Sequence, residues 1–327
     1  MECQNQLIKD DIDGIHENEI QVRFLKRIHE KSTYTEKTNR TLWFHLNTLL
    51  LFTKSDIKTT LLPHTVFAIS LVLHGAHAES ILVGDNLKWR FPFMILWIWV
   101  HLLIFTIANQ RLPACIVEDT ANKSWRPLPS HRISVSEALV LLRTIVPIAM
   151  GLSILLGGFE ASVTLMTFVW LYNDLEGSGA GPCQRNILNG AGYSCFGWGA
   201  VSVLVGGSLN GLLLRWLLLL AAVITTTVHA QDFPDVEGDA KSGRETMPLR
   251  YGQAVPRYVL SILSIFWSAI CLAFWNISSP LVWAAPILIG GTMAVMTAFR
   301  WNQWYDIWVW RLWCFWICIL YTLPSFA

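Results

Sequence analysis

The run from Gly211 to Ala230, GLLLRWLLLLAAVITTTVHA, is twenty residues long, carries a single charge and passes straight into QDFPDVEGDAKSGRETMP. A stretch of that length and apolarity is what a helix needs to cross a bilayer. Comparable runs recur at about 61–80, 91–109, 137–157, 160–173, 187–206, 256–276, 280–298 and 304–325. Their spacing predicts an all-α polytopic membrane protein with about nine transmembrane helices, of which 160–173 is short. Composition agrees, since 53% hydrophobic against 14% charged residues, with 17 tryptophans, is too apolar for a soluble domain. The formal net charge of +1 excludes an extended basic face and with it a nucleic-acid partner. Nothing signals an obligate protein partner. The seven cysteines form no CxxC or metal-type cluster and read as small buried hydrophobes.

Residues 1–40 are polar and mixed in charge, with no apolar core behind a basic start. They are expected to form a polar cytosolic arm, neither signal nor transit peptide, ahead of a transmembrane catalytic domain at 41–327. Within that domain TLWFHLNTLLLFT, 41–53, is too short to cross and holds His45 and Asn47, which predicts an interfacial helix. Alternate crossings put the loops at about 109–136, 174–186 and 231–255 on the side of the N-terminus. The first carries Arg111, Lys123, Arg126 and Arg132 and the last Lys241, Arg244 and Arg250, while the short opposite loops near 158, 208 and 278 are almost uncharged. The positive-inside rule therefore turns the polar loops to the cytosol, and the expected location is the endoplasmic reticulum or a related endomembrane. Gly190, Gly192, Gly197, Gly199, Gly206 and Gly207 give the fifth span a small-residue face suited to close helix packing.

Two of those loops repeat one chemistry. Asp232, Asp235 and Asp239 fall at i, i+3 and i+7, one face of a helix, although Pro234 should restart that helix. Clustered carboxylates are hard oxygen ligands that suit Mg2+ shared with substrate phosphates, and Lys241 and Arg244 follow as phosphate-binding charges. Upstream, Asn109, Glu118, Asp119 and Asn122 offer oxygen ligands, with Lys123 and Arg126 as cations. Pro127 restrains Arg126, and a fixed guanidinium suits bidentate phosphate contact. The third loop adds Asn173, Asp174, Arg185, Asn186 and Asn189, where an asparagine pair at a helix end serves equally as a cap or an interhelical hydrogen bond. The tract Gly177–Gly181 lacks the Gly-Lys-Ser/Thr of a phosphate loop and is expected to act as a lid or hinge. The plain alternative for every one of these clusters is a solvated loop between spans.

The motifs carry a resemblance. QDFPDVEGD is similar to the second NDxxDxxxD motif of the UbiA superfamily of membrane isoprenoid-diphosphate enzymes, with Gln231 in place of asparagine. KSGRETMPLRYG also reads like that family, and WRPLPSHRIS, 125–134, resembles its RPLPSGRIS with His131 where glycine is usual. The likeness covers the chain from about residue 50 onward and implies a nine-helix bundle, Mg2+ as cofactor and a prenyl diphosphate, farnesyl or geranylgeranyl, as substrate. The first motif departs from the pattern, because counted from Asn109 all three expected carboxylates are missing (Gln110, Pro113, Val117) and counted back from Asp119 two are (Leu112, Cys115). The form NQ…ED…NKxWRPLP, with YNDL and RNILN, is instead similar to a fungal branch of membrane-bound terpene cyclases, in which Glu118 and Asp119 would take the metal role.

The resemblance then assigns Asp119, Asp232, Asp235 and Asp239 to catalysis and, with Asn109, Glu118 and Asn122, to metal. Lys123, Arg126, Lys241, Arg244, Arg185, Asn186 and Asn189 fall to the diphosphate. Two activities stay open, cyclisation of farnesyl diphosphate to a hydrocarbon and transfer of the prenyl group to an aromatic or other small acceptor. A transporter or receptor is a third reading, weakened because the charges sit at helix ends rather than at mid-bilayer.

Overall fold

The computed structural model describes residues 40–75, 85–206 and 211–327. The arm expected at 1–40 lies outside the described residues except for Arg40, as does Gly207. Every regular element among the described residues is helical: α1 (Leu42–Thr53), a π-turn (Ile57–Leu61), α2 (Leu62–Leu73), α3 (Asp85–Gln110), α4 (Pro113–Asn122), α5 (Val135–Leu156), α6 (Phe159–Asn173), α7 (Pro182–Val205), α8 (Gly211–Thr227), a 3-10 turn (Val228–Gln231), α9 (Asp232–Lys241), α10 (Met247–Tyr251), α11 (Ala254–Phe274), α12 (Pro280–Phe299), α13 (Gln303–Thr322) and a closing 3-10 turn (Leu323–Phe326).

As far as the described residues reach, each stretch expected to cross the membrane falls on a helix, with 76–80 of the first lying outside them, but the count of nine spans is not reached. Among the described residues six helices are long and apolar enough to cross, or seven if α1 and the helix after it, bent by 61°, form one broken span. The shortfall has physical causes. α2 and α6 hold only 12 and 15 residues, and α7, at 24 residues, carries Arg185, Asn186, Asn189 and a glycine series instead of a continuous apolar surface. α1, expected at the interface, is capped by Thr41 and holds Leu42 and Trp43 76% and 72% exposed.

Helix packing uses small and polar residues where apolar burial gives no driving force between lipid-bathed helices. Trp97 of α3 covers Gly199 of α7, where a Cβ would lie 1.9 Å from the ring, and its indole Nε1 donates to Ser153 of α5 at 2.7 Å. Ser261, Ser264 and Ser268, one stripe of α11, donate to the α12 carbonyls of Ala294, Gly290 and Pro286 at 2.9, 3.1 and 3.1 Å. α7 is central, lying against α2, α3, α6 and α8, and α13 closes the bundle by packing on α2 and α12. At one end the two short acidic helices, α4 and α9, lie against each other. A Cβ at Gly238 would stand 2.1 Å from Asn122 Nδ2, so α9 approaches α4 this closely because residue 238 is glycine.

Candidate active site

α9 begins at Asp232 with Pro234 in its first turn, where a missing N–H costs no helix bond. The expected restart is thus the start of the helix itself, and Asp232, Asp235 and Asp239 share its one face. Asp232 and Asp239 are each only 1% exposed, and the Oδ2 atom of each is buried without a hydrogen-bond partner. Orphaned carboxylate oxygens of this kind call for a partner the protein itself does not supply.

Every acid of the cluster is turned toward a cation. Arg185 pairs with Asp232. Lys123 reaches Asp235 at 3.0 Å, and Arg244 spans Glu118 at 2.6 Å and Asp239 at 3.3 Å. Arg126 Nη1 donates to both oxygens of Asp119, at 2.8 and 3.0 Å, while its Nη2 donates to Ser55 at 2.6 Å and lies 3.5 Å from Asp56. Burial pushes the Asp119 carboxyl up, against the opposing pull of Arg126. Burial also works to lower Arg244, but Glu118 more than reverses it and the guanidinium is held more firmly charged than usual. Arg244 additionally donates to the Cys115 sulfur at 3.4 Å, and burial pushes that thiol up to about 11, so Cys115 is a packing group and no nucleophile.

A cleft of about 930 Å3, counting its open mouth, lies above these pairs. Its mouth bears Asp56, Asn109, Glu118, Lys123, Arg126, Arg185, Asn189, Gln231, Asp235 and Arg244. Away from those groups its wall is apolar and aromatic, with Phe105, Leu165, Phe168, Val169, Leu188, Tyr193 and Phe196, while Tyr172 lies nearer Arg185 and Arg244. Asp119, Asp232 and Asp239 stand behind Arg126, Arg185 and Arg244 and hold those three guanidinium groups toward the cavity. Among the described residues no three His, Cys, Asp or Glu side chains enclose a single metal position, because the cations occupy the spaces between the acids. Six carboxylates (Asp56, Glu118, Asp119, Asp232, Asp235, Asp239) against four cations (Lys123, Arg126, Arg185, Arg244) leave a formal charge of 4 − 6 = −2. With the two orphaned oxygens, that excess of hard donors fits a divalent cation such as Mg2+.

Some expected residues sit elsewhere in this scheme. Lys241 pairs with Glu237 on an exposed face of α9 and does not line the cavity. Asn122 packs against the α9 backbone, its Nδ2 3.5 Å from the Asp235 carbonyl. Asn109 donates to Asn173 at 3.0 Å, an interhelical bond. Asn186 and Asn189 carry unpartnered buried atoms, Oδ1 and Nδ2, and Asn189 faces the cavity. The Gly177–Gly181 tract folds back as a cap on α6 rather than standing free as a lid, with Gly177 and Ser178 amides donating to Leu171 and Tyr172 carbonyls at 3.0 Å each. Asp56 had no signal in the sequence beyond a charged stretch, because only the break between α1 and α2 aims it at Arg126. The aromatic wall was hidden among the apolar residues of α3, α6 and α7.

Residues 61–320 match the model of the UbiA prenyltransferase family. The chain belongs to that family. The fumagillin beta-trans-bergamotene synthase of Aspergillus fumigatus is 32% identical over 71% of this chain and 75% of its own length. The somaliensene A/B synthase of Streptomyces somaliensis is 30% identical over 70% and 74%. Prenyl-transferring enzymes also stand among this UbiA member's relatives. Its fold is that of a UbiA homolog from Archaeoglobus fulgidus solved with GPP and Mg2+ bound, with a TM-score of 0.60 at 14% identity, covering 85% of this chain and 99% of that one.

Proposed function

We propose that this protein ionises a prenyl diphosphate, farnesyl diphosphate above all, and cyclises it to a terpene hydrocarbon, releasing diphosphate and the one proton that the cyclised cation gives up. The observation that carries the reading is the split of one cavity into a charged mouth and an aromatic depth. Arg126, Arg185 and Arg244 reach the mouth with their charges fixed from behind by buried acids, and Lys123 pairs with Asp235 at the mouth itself, so these cations are preorganised to receive diphosphate oxygens. Asp235 and Glu118, which line the mouth, with the unpartnered Oδ2 atoms of Asp232 and Asp239 behind them, would hold Mg2+, which when bound would supply the positive charge that neutralises the departing diphosphate. As the carbon–oxygen bond breaks, its electron pair leaves with the diphosphate and an allylic cation remains below. The faces of Phe105, Phe168, Tyr193 and Phe196 stabilise positive charge there, and their packing excludes water that would quench it.

The names of two synthases among the relatives support cyclisation over transfer. Transfer to an acceptor is the second reading, supported by the unpartnered amide of Asn189 at the mouth, a group able to hold a polar co-substrate. The polar loops face the cytosol in this reading, in the membrane of the endoplasmic reticulum or a related compartment, as their excess of Lys and Arg favours. Incubating membranes that contain the protein with farnesyl or geranylgeranyl diphosphate, with and without Mg2+, and separating extracts by gas chromatography tests the proposal. A new hydrocarbon that needs Mg2+ and no acceptor is the expected result. Turnover only on addition of an aromatic acceptor overturns cyclisation in favour of transfer.

A further inference from the structure

Glycine at 192 is not demanded by packing. On the same helix α7 a Cβ at Gly190 would stand 2.2 Å from Thr225 Oγ1, and one at Gly197 3.1 Å from Leu217 and Phe67. At Gly199 it would strike the Trp97 ring, whereas at Gly192 it would meet nothing within 4 Å. What lies beside Gly192 is the cavity, so this glycine leaves the small-residue packing face and keeps a lumen open instead.

Its depth can be read from helix geometry. The α7 wall of the cavity runs through Arg185, Leu188, Asn189, Gly192, Tyr193 and Phe196, a single stripe at i, i+3, i+4, i+7, i+8 and i+11. At the α-helical rise, Gly192 lies about 10 Å below Arg185 and Phe196 about 16 Å below it. An isoprene unit is four carbon–carbon bonds of about 1.5 Å in zigzag and reaches about 5 Å. With the diphosphate at the level of Arg185, two units reach Gly192 and a third reaches Phe196, whose ring is backed by His64 with centroids 5.6 Å apart.

We propose that Gly192 is the specificity-determining residue that admits the prenyl tail beyond its second isoprene unit and so selects farnesyl over geranyl diphosphate. This rests on the prenyl-diphosphate reading above. A side chain at 192 projects into the lumen at the depth where the tail must pass, whether it lies straight or loops back. The test measures diphosphate release from geranyl, farnesyl and geranylgeranyl diphosphates by the full-length protein and its Gly192→Ala, Gly192→Val and Gly192→Leu variants in membranes, with thermal unfolding as the folding control. The farnesyl-to-geranyl ratio should fall in the order Ala, Val, Leu, on the order of tenfold or more for leucine, while geranyl turnover persists. If leucine prevents folding, valine and alanine read the same ratio. An unchanged ratio in the folded variants overturns the role of Gly192 and leaves the prenyl-diphosphate reading standing. Release from none of the three substrates by the unmodified protein overturns both.

Discussion

The two acidic helices at the mouth differ in what their carboxylates lack. On α4 both acids are claimed: Glu118 pairs with Arg244, and Asp119 grips Arg126 with both oxygens. On α9 Asp232 and Asp239 each give one oxygen to an arginine and keep the other buried and unpartnered. The α9 stripe is therefore built to take on a ligand, whereas the α4 pair serves first to aim two guanidinium groups. Asp56, arriving from the break between α1 and α2, adds a second carboxylate beside Arg126.

The largest effect that could break this distinction comes from α9. Asp239→Ala should abolish turnover, a loss of about 10³-fold or more in kcat, with the protein still folded in the membrane. Arg244 keeps Glu118 as partner, so the variant strands no buried charge. Asp235→Ala should act likewise. Activity in membranes together with yield and melting of the purified protein reads both. Full turnover by either variant would end the assignment of α9 to the reacting diphosphate.

Asp119→Ala is expected to fail in another way. It removes the closest carboxylate partner of a buried arginine and leaves it only Ser55 and the more distant Asp56, so the loss should approach the roughly 3 kcal/mol at the low end for breaking a buried pair. Lost stability, visible as poor yield and early melting, should therefore accompany lost activity. Asp119→Ala with Arg126→Ala should recover much of the stability and none of the activity. A single variant as stable as the parent would show that Asp119 is not the anchor its geometry implies.

Next comes the contact that sets the two helices at their distance. Gly238→Ala drives a methyl toward Asn122, which must move or push α9 away. A displacement of about 1 Å at reacting groups is worth about 10²-fold in rate. Trimming the obstacle with Asn122→Ala in the same chain should restore part of kcat, a recovery that loss of a metal ligand at Asn122 would not allow.

Much of this was legible in the chain because lipid punishes ambiguity. Apolar runs long enough to cross announce themselves, and three aspartates at i, i+3 and i+7 share one face once the segment is helical, as α9 is. The span count was less secure, since α2 is short and α7 exchanges apolar residues for the polar and small ones its cavity and neighbours require. Lys241 looked like a phosphate ligand from its place in the motif, but its helical phase turns it to solvent beside Glu237. Gly192 looked like its packing neighbours, because spacing along one helix does not say which face another helix covers. Asp56 depended on a 61° bend that no local pattern encodes.

The smallest expected effect concerns the loop that carries Arg126 to Asp119. His131 stands at φ 56°, a left-handed conformation that L side chains adopt at a cost of about 1–2 kcal/mol. Its side chain stands exposed to solvent. The glycine usual at this point of the resembling RPLPSGRIS removes that strain, but it frees the unfolded chain and gives back about 0.5–1 kcal/mol. His131→Gly should therefore stabilise the protein by about 0.5 kcal/mol, a slight rise in melting temperature in detergent, and leave kcat unchanged. The turn only has to present Arg126, and it does so equally well with either residue as long as Arg132 keeps its reach to the α1 carbonyl of Phe44. A fall in melting temperature would mean that the imidazole contributes to the loop, and the grip of α4 on Arg126 would then depend on a residue outside the acid pairs.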